Sequence, residues 1–102
     1  MSEGGYNLSM QRDVRRNDQR SRYELTIDGQ LVGVADFVVD GSTVVLPHTE
    51  IDPGRRGHGL GAILVKGALD DIRARGGVVI PTCWYVRQYI DEHPEEADLL
   101  AA

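Results

Sequence analysis

The sequence predicts an α+β (mixed α/β) domain, in which an antiparallel meander precedes a strand-helix-strand crossover and a C-terminal helix. Three observations carry this expectation. Between Val14 and Ile51 apolar and polar residues alternate at the two-residue strand period, broken by the turn dipeptides Asp28-Gly29 and Asp40-Gly41. From Leu60 the apolar spacing lengthens to the helical period. Gly76-Gly77 then separates that helix from a short apolar run, and a strand, helix and strand so closely spaced imply a crossover.

Each element has its own local reason. Residues 1–10, MSEGGYNLSM, are polar and without period, so a mobile leader is expected there and a single domain over residues 11–102. Val14 marks a short first strand. Tyr23, Leu25 and Ile27 alternate with Arg22, Glu24 and Thr26, as in a sheet with one polar face. Leu31 to Val39 and Thr43 to Ile51 continue the meander. Pro47 has no N–H to give to a ladder, so the last of these strands is expected to bulge there. Pro53-Gly54 ends it. Leu60, Ile63, Leu64, Ala68 and Ile72 form the apolar stripe of a helix whose negative end suits Arg73 and Arg75, and Gly76-Gly77 stops it. Val78 to Ile80 is expected as a short buried strand, parallel to Thr43–Ile51 by right-handed crossover. A second helix, Trp84 to Glu92, ends before Pro94, and an acidic tail follows.

Composition narrows the possible functions. A chain of 102 residues supports one modest core and leaves no room for a second domain. Its net charge of −5 opposes general binding to nucleic acid or to anionic membranes. The arginines between Arg12 and Arg22 read either as a solvated strand edge or as a patch for an anionic ligand. The lone cysteine, Cys83, cannot form an internal disulfide, and no segment resembles a secretory signal or a membrane span, so a cytoplasmic protein, monomeric or weakly dimeric, is expected. Cys83 and the three histidines lack metal-ligand spacing, and no metal is expected.

The stretch RRGHGLG, Arg55 to Gly61, stands directly before the long helix. A helix N-terminus offers unpaired N–H groups and a partial positive charge, which together attract phosphate. Glycine at positions 57, 59 and 61 lets an anion approach closely, and Arg55 and Arg56 add charge-assisted bonds. A tight turn that simply packs the helix on the sheet is the other reading. The loop lacks the Gly-Lys-Ser/Thr ending of a nucleoside triphosphate loop, and it follows an antiparallel meander, unlike a dinucleotide fingerprint.

Arg56-Gly57-His58-Gly59-Leu60-Gly61 resembles the Arg/Gln-x-x-Gly-x-Gly/Ala signature of the GNAT superfamily of N-acetyltransferases. With HTEIDP, PTCWYV and the His-Pro pair before the acidic end, the chain is similar to a short GNAT-like branch of about one hundred residues. The resemblance implies a minimal GNAT-like fold and acetyl-CoA or coenzyme A as cofactor. Residues Arg55, Arg56, Gly57, His58, Gly59, Leu60 and Gly61 would hold the pyrophosphate, and the backbone of Thr49, Glu50 and Ile51, freed by the bulge, would pair with the pantetheine arm. Ordinary members carry two helices after the first strand, whereas Asn17 to Arg20 leaves space for a turn, so the donor half is present and the acceptor half is reduced.

The implied activity is transfer of acetyl from the acyl-CoA donor to an amine acceptor on a small molecule or protein; a CoA-binding module without turnover and a domain with a purely structural glycine loop are the alternatives. Cys83 is either an acyl-carrying nucleophile near the thioester or a small core residue. His48 and Glu50 alternate onto one strand face, where either can take the proton an ammonium acceptor must lose, or both simply meet solvent. Tyr85 either protonates the departing thiolate or packs with Trp84 against the sheet. His58 is expected exposed in its loop and His93 structural.

Overall fold

In the computed structural model, which describes residues 11–102, strands β1 (Arg12–Asn17), β2 (Arg22–Ile27), β3 (Gln30–Asp40) and β4 (Thr43–Ile51) precede helix α1 (Leu60–Ala74). Strand β5 (Val78–Ile80), helix α2 (Trp84–Glu92) and a 3₁₀ segment (Pro94–Leu99) complete the chain. The five strands form one sheet in chain order, antiparallel from β1 to β4, with β5 parallel to β4. This is the mixed α+β fold that the sequence predicts. The leader assigned to residues 1–10 lies outside the described residues.

One sheet face carries the core. Tyr23, Leu25, Ala35, Phe37, Val44 and Leu46 are buried, together with Leu60, Leu64, Val65, Ala68, Leu69 and Ile72 of α1. The helix stripe is broader than the sequence suggests, because α2 and the C-terminal segment join the same cluster. Ile63, placed on the stripe, is only partly buried. Mid-helix Gly67 lets β1 press against the helix, since a Cβ there would stand 2.6 Å from Val14 Cβ. Gly76, at a φ of 75°, ends α1: Gly76 N donates to Arg73 O and Gly77 N to Ile72 O.

Two bulges shape β4. Asp36 pairs with His48 and Val38 with Val45, so Leu46 and Pro47 together oppose Phe37. This is the bulge expected at Pro47, and it reverses the facing of the strand: Val44 and Leu46 are buried before it, and the more sheltered Thr49 and Ile51 alternate with exposed His48 and Glu50 after it. Val32 is the extra residue of a bulge in β3, and its carbonyl accepts Asp52 N at 2.7 Å, which fixes the end of β4. Parallel pairing with β5 covers only Thr43 to Val45. Beyond it Cys83 N donates to Leu46 O at 2.9 Å, and the two strands diverge.

Three expectations need correction. The acidic end, expected as a tail, is packed onto the domain: Glu96 is 2% exposed, Leu99 is buried, and Ala101 N donates to Val79 O. Arg73 serves that segment rather than the helix terminus, donating to Glu96 Oε1 at 3.0 Å and to Asp98 Oδ2 at 2.7 Å. Strand β5 is only partly buried, with Val79 in the core and Ile80 exposed, because no element covers the outer sheet face over it among the described residues. Of the arginines in β1 and β2, Arg15, Arg16 and Arg22 are each paired with a carboxylate, and Arg16 also lies 4.6 Å above the Phe37 ring.

Candidate active-site cleft

Where β4 and β5 part, the sheet opens into a cleft of about 840 Å³. Its walls come from β4 (Pro47 to Ile51), the loop from Arg55 to Gly61 and the start of α2 (Thr82 to Tyr85). The post-bulge part of β4 is paired to β3 along one edge and turns its other edge to this cleft. Peptide groups on that free edge are available to an extended ligand, much as a strand would use them.

At one end stands the start of α1. Asp52 initiates the loop, accepting from Gly54 N at 3.0 Å ahead of Pro53, and Arg55 is steadied by a bond to Gln30 Oε1 at 3.1 Å. The helix N-cap is Gly59, with no side-chain acceptor for the first N–H groups. Those donors remain available to an anion. The three loop glycines divide into two kinds. Gly57 and Gly59 have φ values of 86° and 72°, the left-handed region that favours glycine, and face open space. Gly61 lies inside α1, where a Cβ would come within 2.7 Å of the Tyr85 hydroxyl. Its small size therefore serves the approach of α2, a use different from the one its spacing suggests.

At the other end of the cleft are the candidate chemical groups. His48 Nε2 and Glu50 Oε1 are 3.3 Å apart, both well exposed, on the strand face they share by alternation. Cys83 is buried at the N-cap of α2, and its Sγ donates to Thr49 Oγ1 at 3.7 Å. Tyr85 is half-buried, and burial, aided by the negative charge of Glu92, raises its pKa above the ordinary tyrosine value. Trp84, expected to pack on the sheet if it pairs with Tyr85, does meet that ring edge-on at 5.7 Å, yet it is 74% exposed. The structure thus brings Cys83, His48, Glu50, Tyr85, Thr49, Ile51, Arg55, Arg56, Gly57, Gly59, Leu60 and Gly61 to one cleft.

His58 is exposed and does not line the cleft. His93 is structural, its Nδ1 donating to Tyr89 O at 2.7 Å and its ring stacked on Tyr89. Pro47, Thr82 and Trp84 also line the cleft, unnoticed as site residues in the sequence because nothing local in it marks where β5 leaves β4. Among the described residues no group of three or more His, Cys, Asp or Glu could hold a metal ion, and no helix is long and apolar enough to cross a membrane.

A family model described as GCN5-related N-acetyl-transferase matches residues 22–99. The chain belongs to the GCN5-related N-acetyltransferase family. This GNAT membership agrees with similarity to Protein NATD1 of Xenopus tropicalis, 38% identical over 84 residues that cover 79% of this chain and 76% of the relative. A GCN5-like protein of Staphylococcus aureus, solved by NMR, superposes with a TM-score of 0.66 at 14% identity over 88% of each chain. Two larger proteins share the fold in part. The chain covers 39% of the ribosomal-protein-S18-alanine N-acetyltransferase of Escherichia coli, with a TM-score of 0.55 at 24% identity over 59% of its own length. It covers 16% of the N-acetylglutamate synthase of Neisseria gonorrhoeae, solved with coenzyme A and N-acetyl-glutamate, with a TM-score of 0.53 at 19% identity over 63% of its own length.

Proposed function

We propose that this GNAT protein is an acetyl-CoA-dependent N-acyltransferase that passes acetyl directly to an amine of a small molecule or protein. The observation that carries the reading is the continuity of the cleft, which joins an uncapped, arginine-flanked helix N-terminus to a free strand edge. The residues suit coenzyme A: backbone N–H groups at the start of α1, with Arg55 and Arg56, match a pyrophosphate, and the free edge of Thr49 to Ile51 matches the amides of pantetheine. The gonococcal neighbour, solved with coenzyme A, supports that choice of ligand. Acetyl-CoA supplies a thioester, an acyl group already activated toward amines.

The chain then has two protons to manage. An ammonium has no lone pair, so the acceptor must lose a proton, and His48, held by Glu50 at 3.3 Å, is the group for it. The leaving thiolate needs a proton, and Tyr85, whose hydroxyl stands in the cleft wall, is the group to give one. The Cys83 thiol makes its one hydrogen bond among the described residues to a neutral hydroxyl, Thr49 Oγ1, and has no imidazole partner. Its place at the N-cap of α2 favours a thiolate, but no side chain is in position to take the proton among the described residues, so direct transfer, which needs no thiolate, is favoured over an acyl-enzyme.

One observation favours a second reading, a CoA-binding module without turnover: His48 and Glu50 are exposed by 57% and 60%, so little protein encloses an acceptor. Thiol release from acetyl-CoA in the presence of a panel of amines separates the two. Amine-dependent release that falls about a hundredfold or more in His48→Ala supports transfer. Tight CoA binding with no release above background supports the module.

A further inference from the structure

The outer face of the sheet carries an apolar row. Ala35 and Phe37 of β3, Val44 and Leu46 of β4 and Val79 of β5 are buried in the core, so by strand alternation Val38, Val45 and Ile80 face the other way. The register sets these three side by side: Val38 pairs with Val45, and Val45 with Ile80. Val38 is 58% exposed and Ile80 40%, and no helix covers them among the described residues. Branched aliphatics in register on three neighbouring strands form a patch, a stronger sign of a partner than the same residues scattered singly. With strands about 4.8 Å apart the row is about 10 Å across, the width of one α-helix.

The charges beside the row have one sign. Asp36 and Asp40 flank Val38 on the same face of β3, and neither makes an ion pair among the described residues. Strands β3, β4 and β5 contain no lysine or arginine, and on the rest of the outer face Arg15 and Arg22 are already paired with Asp13 and Glu24. Two copies stacked through the row would therefore set the same unpaired acids against each other. A basic partner would compensate them.

We propose that Val38, Val45 and Ile80 form a docking surface for an amphipathic helix of a partner protein, apolar toward the row and carrying lysine or arginine for Asp36 and Asp40. The two carboxylates lie four residues apart on β3, about 13 Å, so the basic residues of that helix stand about two turns apart. Docking there requires no cofactor and is independent of the N-acyltransferase reading. Asp36 is the cross-strand partner of His48, which puts the docked helix beside the open end of the cleft.

The probe is a synthetic helix of about five turns, with leucine along one face and lysine and glutamine elsewhere, titrated into the nitrogen-15-labelled chain at low and at physiological salt. Two control peptides replace lysine by glutamate or leucine by glutamine. Saturable amide shifts are expected at Asp36 to Asp40, Thr43 to Val45 and Val78 to Ile80, with the Kd of the lysine helix about tenfold or more below that of either control. Val38→Thr with Ile80→Thr, and separately Asp36→Asn with Asp40→Asn, are each expected to weaken the lysine helix by about tenfold. The unbound variants should keep a Tm close to that of wild type, because all four side chains lie outside the core. Shifts centred elsewhere, equal binding of a control peptide, or undiminished binding by either pair of substitutions would overturn the proposal. Self-association of the unliganded chain in analytical ultracentrifugation, abolished by Val38→Thr with Ile80→Thr, would assign the row to a second copy and overturn it as well.

Discussion

At the scale of single residues, neighbouring glycines answer to different forces. Gly59→Ala places a Cβ at a φ of 72° in open space, so it should cost about 1–2 kcal/mol of stability through backbone strain alone. Gly61→Ala meets the Tyr85 ring instead, and its cost should shrink when Tyr85 is also replaced by Ala, a coupling that a double-mutant cycle of denaturation measurements reads directly. Cys83→Ser buries a hydroxyl that Thr49 Oγ1 can still meet. It should lose about 1–2 kcal/mol of stability yet keep CoA binding and most amine-dependent thiol release. A stable acetyl adduct on Cys83 that passes to an added amine, seen by mass spectrometry, would instead establish the covalent route. The two roles of glycine in RRGHGLG were not separable in the sequence, since Tyr85 lies in another helix and only folding brings its hydroxyl against Gly61.

At the scale of elements, local chemistry announced most of the fold. Asp28-Gly29 and Asp40-Gly41 marked the hairpins, Pro47 marked the bulge, and Gly76-Gly77 marked the end of α1. The splay of β4 from β5 was harder to read, because it depends on β5 pairing over three residues and then handing Cys83 N to Leu46 O. In sequence the C-terminal segment has the character of an acidic tail for a good physical reason: a carboxylate is seldom buried unless paired, and the partners of Glu96, Arg73 and Lys66, lie far back in α1. Arg73→Ala strands that buried charge and should lower Tm clearly more than Lys66→Ala, whose contact with Glu96 is the longer at 3.5 Å. The pH dependence of this clamp has a definite sign. Arg73 lowers the pKa of Asp98 below its ordinary value of 3.8, so the pair's contribution is present above that value and is lost as pH falls through the lowered one. The Tm gap between wild type and Arg73→Ala should accordingly narrow on acidification below about pH 4.

At the scale of the whole molecule, a layer of helices covers one sheet face, while among the described residues the outer face stays open at Leu31, Val38 and Ile80. The cleft is the break in that sheet, and along it lie the start of α1, the free edge of β4 and the pair His48 and Glu50, the groups proposed above to meet phosphate, pantetheine and the acceptor proton. A ligand that binds only the folded chain at a hundredfold excess over its Kd adds about 2.7 kcal/mol, so CoA should raise Tm by on the order of 10 °C. Arg56→Ala should weaken CoA by about tenfold, consistent with one lost charge-assisted bond. The most direct test is amide hydrogen exchange with and without CoA, because it locates the ligand as well as detecting it. Slower exchange concentrated at Thr49 to Ile51 and at Gly59 to Ala62, with β1 and the hairpin around Gly41 unchanged, is the result expected of a cofactor seated in the cleft. No change in those two segments at saturating CoA, or protection confined to other parts of the chain, would contradict it.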